Sequence, residues 1–310
     1  MNHFSRLLAI ALIAFASPAA AKVNIVTTIT DLAAIANAVG GKYVKATSLT
    51  AGTRDPHFAV AKPSMIRRVH DADLLLLVGA DLEIGWLPPL LQRARNARIQ
   101  PGTNGYFDMA AVIPLKDIPT GPISRAMGDV HPKGNPHYWL DPRNGARLAV
   151  AIGQRLAVID PAHAADYRKA AKAFVAELTS RLVDWRKQLA GLKGQPVIAY
   201  HNSMEYLADA FGFTIADEVE PKPGIAPSGA YLGQLLGTIR NRNIPLLIME
   251  PFYEQRSAAF LHEKTGINVA VIPQSVGSMK GIKTYFDLFN GIVKTIDAAL
   301  AAATPTTTGE

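Results

Sequence analysis

The 310-residue chain contains no cysteine. Thiolate metal ligands are therefore excluded, which leaves His, Asp, Glu and neutral oxygens for any bound ion. Disulfides are excluded too, so an exported form must draw its stability from packing. A lipid-anchor cysteine is also missing, which favours a free periplasmic protein over a tethered lipoprotein. Beyond residue 21 no apolar run is long enough to cross a bilayer. The formal charge is +7, but the basic residues are spread along helix-like segments without an aromatic-basic cluster. That pattern reads as a solvated surface and argues against nucleic acid. No HExxH segment and no nucleophile arrangement occurs, which speaks against a zinc-dependent hydrolase.

Residues 1–21 read as a secretory signal peptide. Arg6 gives a basic start, Leu7 to Ala16 is apolar but too short to span a membrane, and Ala19-Ala20-Ala21 offers a cleavage site before Lys22. The expected mature form is soluble in the periplasm. Its length predicts two lobes. From VNIVTTIT onward, short apolar strands alternate with helix-like segments, which indicates βα units and mostly parallel sheets covered by helices.

The expected organisation is a first α/β lobe at 22–160, a linker helix at 161–192, a second α/β lobe at 193–302 and a disordered tail at 303–310. The linker signal is apolar positions at Ala171, Phe174, Val175, Leu178, Leu182, Trp185 and Leu189, with no Pro or Gly before Gly191. A helix from about Ala164 to Leu192 would extend roughly 40 Å, long enough to join two lobes stiffly. LEIGWLPPLLQRA and AYHNSMEYLADAFG are also predicted as helices, the second ended by Gly212.

Three histidines stand out: His57 in DPH, His137 in NPHYWLDP and His201 in AYHNSMEY. Each sits where an apolar run gives way to a turn or a helix start. Imidazole is the commonest side-chain ligand for borderline metals, and three of them with a weak or open fourth position suit zinc. The plainer readings are a bend histidine at 57, a packing residue beside Tyr138 and Trp139 at 137, and a helix-start polar residue at 201. His131 reads as a surface loop residue, and His70, His163 and His262 as solvated. Glu250 follows a buried strand, where a carboxylate needs a partner. Glu83 and Trp86 read as packing and hydrogen bonding, and Asp141 as a cap for a helix beginning near Pro142.

Several segments in order resemble the metal-binding proteins of bacterial ABC importers for zinc, manganese or iron, the cluster A-I solute-binding family. They are DPHFAVAKPSMIRRVHDADLLLLVGADLEIGW, GNPHYWLDPRNG, the middle helix, YHNSMEYLADAFG, VEPKPGIAPS and IMEPFY. The resemblance implies two α/β lobes joined by one long helix, with the metal in the cleft between them. His57 and His137 would come from the first lobe and His201 from the second. His at the third position is the zinc-type choice where manganese-type members have Glu, and three imidazoles favour Zn²⁺ over Mn²⁺.

Two departures from the family pattern stand out. Gln274 falls where the family often has an Asp, so the fourth position is left to Glu250, to Gln274 through its carbonyl, or to water. A His- and acid-rich loop before the second ligand is absent, since residues 122–136 hold only Asp129 and His131 of that kind. The resemblance implies a monomeric, non-enzymatic carrier that binds its ion in the periplasm and docks on a membrane permease of an ABC importer. The alternatives are a manganese- or iron-binding member of the same family, a zinc hydrolase using the same three histidines, and an adhesin or metal store.

Overall fold

The computed structural model describes residues 22–302 apart from residues 123, 125, 126 and 129. The expected leader, the expected tail and Asp129 lie outside the described residues. Among those described, eight strands form two separate four-stranded parallel sheets. The first holds β1 (Val23–Thr27), β2 (Val44–Ser48), β3 (Leu74–Leu77) and β4 (Tyr106–Asp108) in the order β2-β1-β3-β4. The second repeats the plan with β5 (Pro196–Ala199), β6 (Thr214–Glu218), β7 (Leu246–Met249) and β8 (Asn268–Val271) in the order β6-β5-β7-β8. The inner strands β3, LLLL, and β7, LLIM, are buried at every residue, as a parallel strand covered on both faces requires.

Helices α1 (Thr30–Gly40), α2 (Pro63–His70), α3 (Leu87–Ala94) and α4 (Pro142–Ile159) belong to the first half. Helices α6 (Glu205–Phe211), α7 (Gly229–Asn241), α8 (Arg256–Thr265) and α9 (Tyr285–Ala301) belong to the second. Between them runs α5 (Ala164–Gln188), which buries Tyr167, Ala171, Phe174, Leu178, Leu182 and Trp185 at three- and four-residue spacing. Its Phe174 ring lies 4.9 Å from Phe286 of α9, and its Trp185 ring 5.3 Å from Phe289. One apolar core therefore continues from Ile25 in the first sheet through α5 to Ile248 in the second.

The structure departs from the sequence expectation at four places. The long helix ends at Gln188, because Leu189 leaves helical dihedrals and a 3₁₀ turn covers Ala190–Leu192. LEIGW is a turn, with α3 starting only at Leu87. Gly79, Ala80 and Asp81 all have positive φ, and the Glu83 carboxylate accepts the N–H groups of Val78 and Gly79 there at 2.7 and 3.0 Å. The helix expected over AYHNSMEY begins only at Glu205, since Tyr200 N–H is drawn to Ile248 O on β7. Finally, β4 is a three-residue strand that the sequence pattern did not announce, paired to β3 from Leu75↔Tyr106 onward.

Candidate metal centre

The carboxyl ends of both sheets face each other, and the chain leaves each strand of the second sheet with a polar residue. His201 follows β5, Glu220 follows β6, Glu250 follows β7 and Gln274 follows β8; all four are buried. The first half supplies His57 from a 3₁₀ turn after β2 and His137 just before the turn that leads into α4. Ligand placement at strand carboxyl ends, where neighbouring strands diverge, is the general rule for open parallel sheets.

These elements bring together one ligand nitrogen each from His57, His137 and His201, all within 4.8 Å of one another. The ring centroids are 5.2, 5.3 and 5.7 Å apart. Each ring is oriented from behind by an acceptor on Nδ1. Asp55 Oδ1 lies 2.7 Å from that of His57, Asn135 Oδ1 2.9 Å from that of His137, and Glu220 Oε2 2.8 Å from that of His201. With Nδ1 donating in all three, Nε2 is the bare nitrogen turned inward, the tautomer a metal ligand needs.

The electrostatics separate the rings. Burial, then the neighbouring His57, His201 and His131, hold His137 well below the usual imidazole range. Burial pulls His201 the same way, but the Glu220 hydrogen bond and the charges of Glu250, Glu220 and Asp55 outweigh it and raise this group. Burial pushes the Glu250 carboxyl up to about 7, opposed by His201 and by the Ser203 hydroxyl that donates to it. Three buried atoms here have no hydrogen-bond partner: His137 Nε2, Glu250 Oε2 and Gln274 Oε1. Unpaired buried polar atoms are costly, and a cation between the three imidazoles would satisfy His137 Nε2. Glu250 itself does not join the group of mutually close ligand atoms.

Other residues stand in the roles the sequence suggested. Asp141 caps α4 by accepting Arg143 N–H at 2.7 Å. Glu83 is fully engaged with the backbone, and Trp86 Nε1 donates to Pro56 O at 3.1 Å beside the His57 turn. His70 and His262 are exposed, with ring nitrogens bonded to the carbonyls of Ala94 and Ile267, whereas His163, expected to be solvated, is half-buried, stacked on Tyr43 at 3.7 Å and bonded to Asp160 Oδ2 at 2.7 Å. His131 is the correction. Instead of lying free on the surface, its Nε2 stands 3.1 Å from Nε2 of His57. Burial, followed by the charges of His57 and His201, pushes its pKa down to about 4.

Sequence reasoning also missed Glu220 as the support of His201. It lies within the VEPKPG segment, and a carboxylate two residues past a strand end was the available signal.

The halves are tied around this centre by several hydrogen bonds. Trp139 Nε1 donates to Gln274 O at 3.0 Å, Tyr206 OH donates to Asn135 O at 2.9 Å, and Val276 N–H donates to Asp31 Oδ1 at 3.0 Å. A groove of about 490 Å³ opens beside His57 and His131, walled by Phe58, Val60, Ile84 and Trp86. No helix among the described residues is long and apolar enough to cross a membrane.

Comparison with known proteins points the same way as the geometry. A family model described as zinc-uptake complex component A, periplasmic, matches residues 25–299. A high-affinity zinc uptake system protein of Brucella suis biovar 1 is 28% identical over 53% of this chain and 50% of its own length. The chain thus spans about half the length of such relatives. The iron-binding protein YfeA of Yersinia pestis is 26% identical over 94% of this chain and 92% of its own. A crystal structure of a ZnuA protein superposes with a TM-score of 0.75 over 90% of this chain and 99% of that one, at 24% identity. With a model matching nearly the whole described chain, this protein belongs to the family of zinc-uptake complex component A, periplasmic.

Proposed function

We propose that this chain is the periplasmic capture protein of an ABC importer for a divalent transition metal, zinc in preference to manganese or iron. It would act as a monomer after loss of the leader and hand the ion to a membrane permease. The observation that carries this reading is the convergence of His57, His137 and His201, each with Nδ1 already committed and Nε2 facing the others. Three imidazole nitrogens suit a borderline ion, whereas hard cations are held by more carboxylate oxygen. The three imidazoles bring no carboxylate oxygen of their own to the ion, which is the donor type that manganese sites favour.

Nothing in the arrangement needs chemistry on a substrate. Glu250, whose carboxyl is pushed up to about 7, is bonded to Ser203 in the second half and does not line the groove beside His57. Metal analysis of protein purified from the periplasm, followed by competitive zinc and manganese titration, tests the reading. The expected result is one zinc per chain and a steep loss of affinity in His57→Ala with an unchanged circular dichroism spectrum. Full zinc affinity in that variant, or tighter binding of manganese, would reject it.

A further inference from the structure

The first half holds a second space that the metal reading does not use. A cavity of about 180 Å³ lies among the end of β4, the Gly79–Glu83 turn and α3. It shares Asp81 and Ile84 with the groove beside His57 but reaches none of the three histidines. Its apolar lining comes from Leu77 of β3, from Leu87, Pro88 and Leu91 of α3, and from Pro101. An apolar cavity of about 150 Å³ holds a molecule the size of benzene. The space therefore accepts a body of about six carbons.

The polar lining is unbalanced in charge. Asp81, Glu83 and Asp108 face a single ammonium, that of Lys133, among the described lining residues. Lys133 is committed to Asp81 Oδ1 at 2.9 Å, so an anionic ligand finds no free cation. Glu83 is committed to the N–H groups of Val78 and Gly79. Asp108 is the carboxylate left over. Its Oδ1 accepts Ala110 N–H at 3.0 Å, yet burial, with the charge of Asp81, holds the group above its usual range against that bond and Lys133. A cation beside it would relieve that penalty. The backbone is shaped around the same carboxylate. Gly79, Ala80 and Asp81 have φ of +75°, +50° and +66°, and a Cβ at Gly79 would collide with Asp108 Oδ1. Left-handed backbone at non-glycine residues is costly and concentrates at ligand clamps and active sites. A metal is the wrong cation for this space. Among the described residues only the three imidazoles bring three ligand atoms close enough to share an ion, so these carboxylates do not converge on one point.

We propose that this cavity is a binding site for a small organic ammonium ion, a primary amine carried on an apolar body of about six carbons. The body packs against Leu77, Leu87 and Leu91, and the ammonium donates to the Asp108 carboxylate. The site is separate from the histidine centre and needs no metal.

Titration of the metal-free protein with benzylammonium, benzyl alcohol and benzoate, followed by the amide NMR shifts of isotopically labelled chain, tests this. Working without metal keeps the amine from ligating zinc. Benzylammonium should move the amides that line the cavity and bind at least ~10-fold tighter than the neutral alcohol of equal size, the scale of a hydrogen bond to a charged group. Benzoate should not bind. Asp108→Asn keeps an acceptor for Ala110 N–H and removes the charge, so it should erase the difference between amine and alcohol. Ile84→Trp fills the cavity from an exposed position on its lining and should abolish binding of both. Benzylammonium binding no tighter than that of the alcohol, shifts confined to the histidine centre, or amine binding that survives both variants overturns the proposal. None of these outcomes bears on metal capture.

Discussion

Glu220 grips His201 from behind. Its Oε2 lies 2.8 Å from the ring's Nδ1 and also accepts Gly224 N–H at 2.9 Å, so the turn after β6 holds the ring that follows β5. Carboxylate support of this kind fixes the tautomer and strengthens the nitrogen on the other side of the ring.

Replacing that carboxylate should therefore weaken the metal site without touching a ligand. Glu220→Gln is expected to lower zinc affinity by about 10–100-fold, with the fold unchanged by circular dichroism. Competition against a chromophoric chelator measures it. Equal affinities would mean that packing alone orients His201.

Metal removal should be visible as lost stability. An ion that binds the folded chain and not the unfolded one adds about 2.7 kcal/mol when free zinc is 100 times the dissociation constant. Calorimetry should show the melting temperature rising with zinc and falling back on addition of a chelator. His57→Ala should show little of this shift, and a wild-type midpoint indifferent to zinc would contradict the proposed capture role.

Asp31 makes the metal-free protein sensitive to pH. Burial pushes its carboxyl up to about 7 from 3.8, against the Val276 N–H and Ser275 hydroxyl that favour the charged form. A folded pKa above the unfolded one means that its contribution is complete below about pH 3.8 and is lost as pH rises through about 7. Glu83 and Glu250, also pushed up to about 7, titrate in the same window. Urea unfolding of the metal-free chain should therefore show stability falling from pH 4 to 7. Asp31→Asn should flatten that slope by up to about 1.4 kcal/mol per pH unit, one proton's share. An identical slope in the variant would place the Asp31 carboxyl outside the titration.

Gly145 on α4 is set against Tyr285 at the start of α9. A Cβ at 145 would lie 2.3 Å from Tyr285 Cε1, and that ring is fully buried with its hydroxyl bonded to Trp139 O. Because the ring cannot retreat without breaking the bond between the halves, Gly145→Ala should destabilise by about 1–3 kcal/mol. Chemical denaturation reads this directly. A change below about 0.5 kcal/mol, the scale of an ordinary surface substitution, would mean that the helices move apart freely.

Much of this was legible in one dimension. The runs LLLL and LLIM could only be strands buried on both faces, and the apolar spacing through Phe174, Leu178 and Trp185 could only be a helix packed along one side. Local turn chemistry was harder to read. In LEIGW a buried carboxylate reaching back to two backbone N–H groups overrode helix propensity, and β4 is too short to carry a period. His131 looked like any loop histidine, because its meaning depends on a partner 74 residues away.

By itself the chain determined which chemistry was available: no thiolate, few histidines, and three of them placed where strands end. Only the folded molecule decided which of those groups meet. Two parallel sheets pinned by one helix and a continuous core set their carboxyl ends face to face. Because side chains leave those ends in directions set by the backbone, His201 meets His57 and His137, and Gln274 O meets Trp139, across halves whose distance along the chain carries no hint of contact.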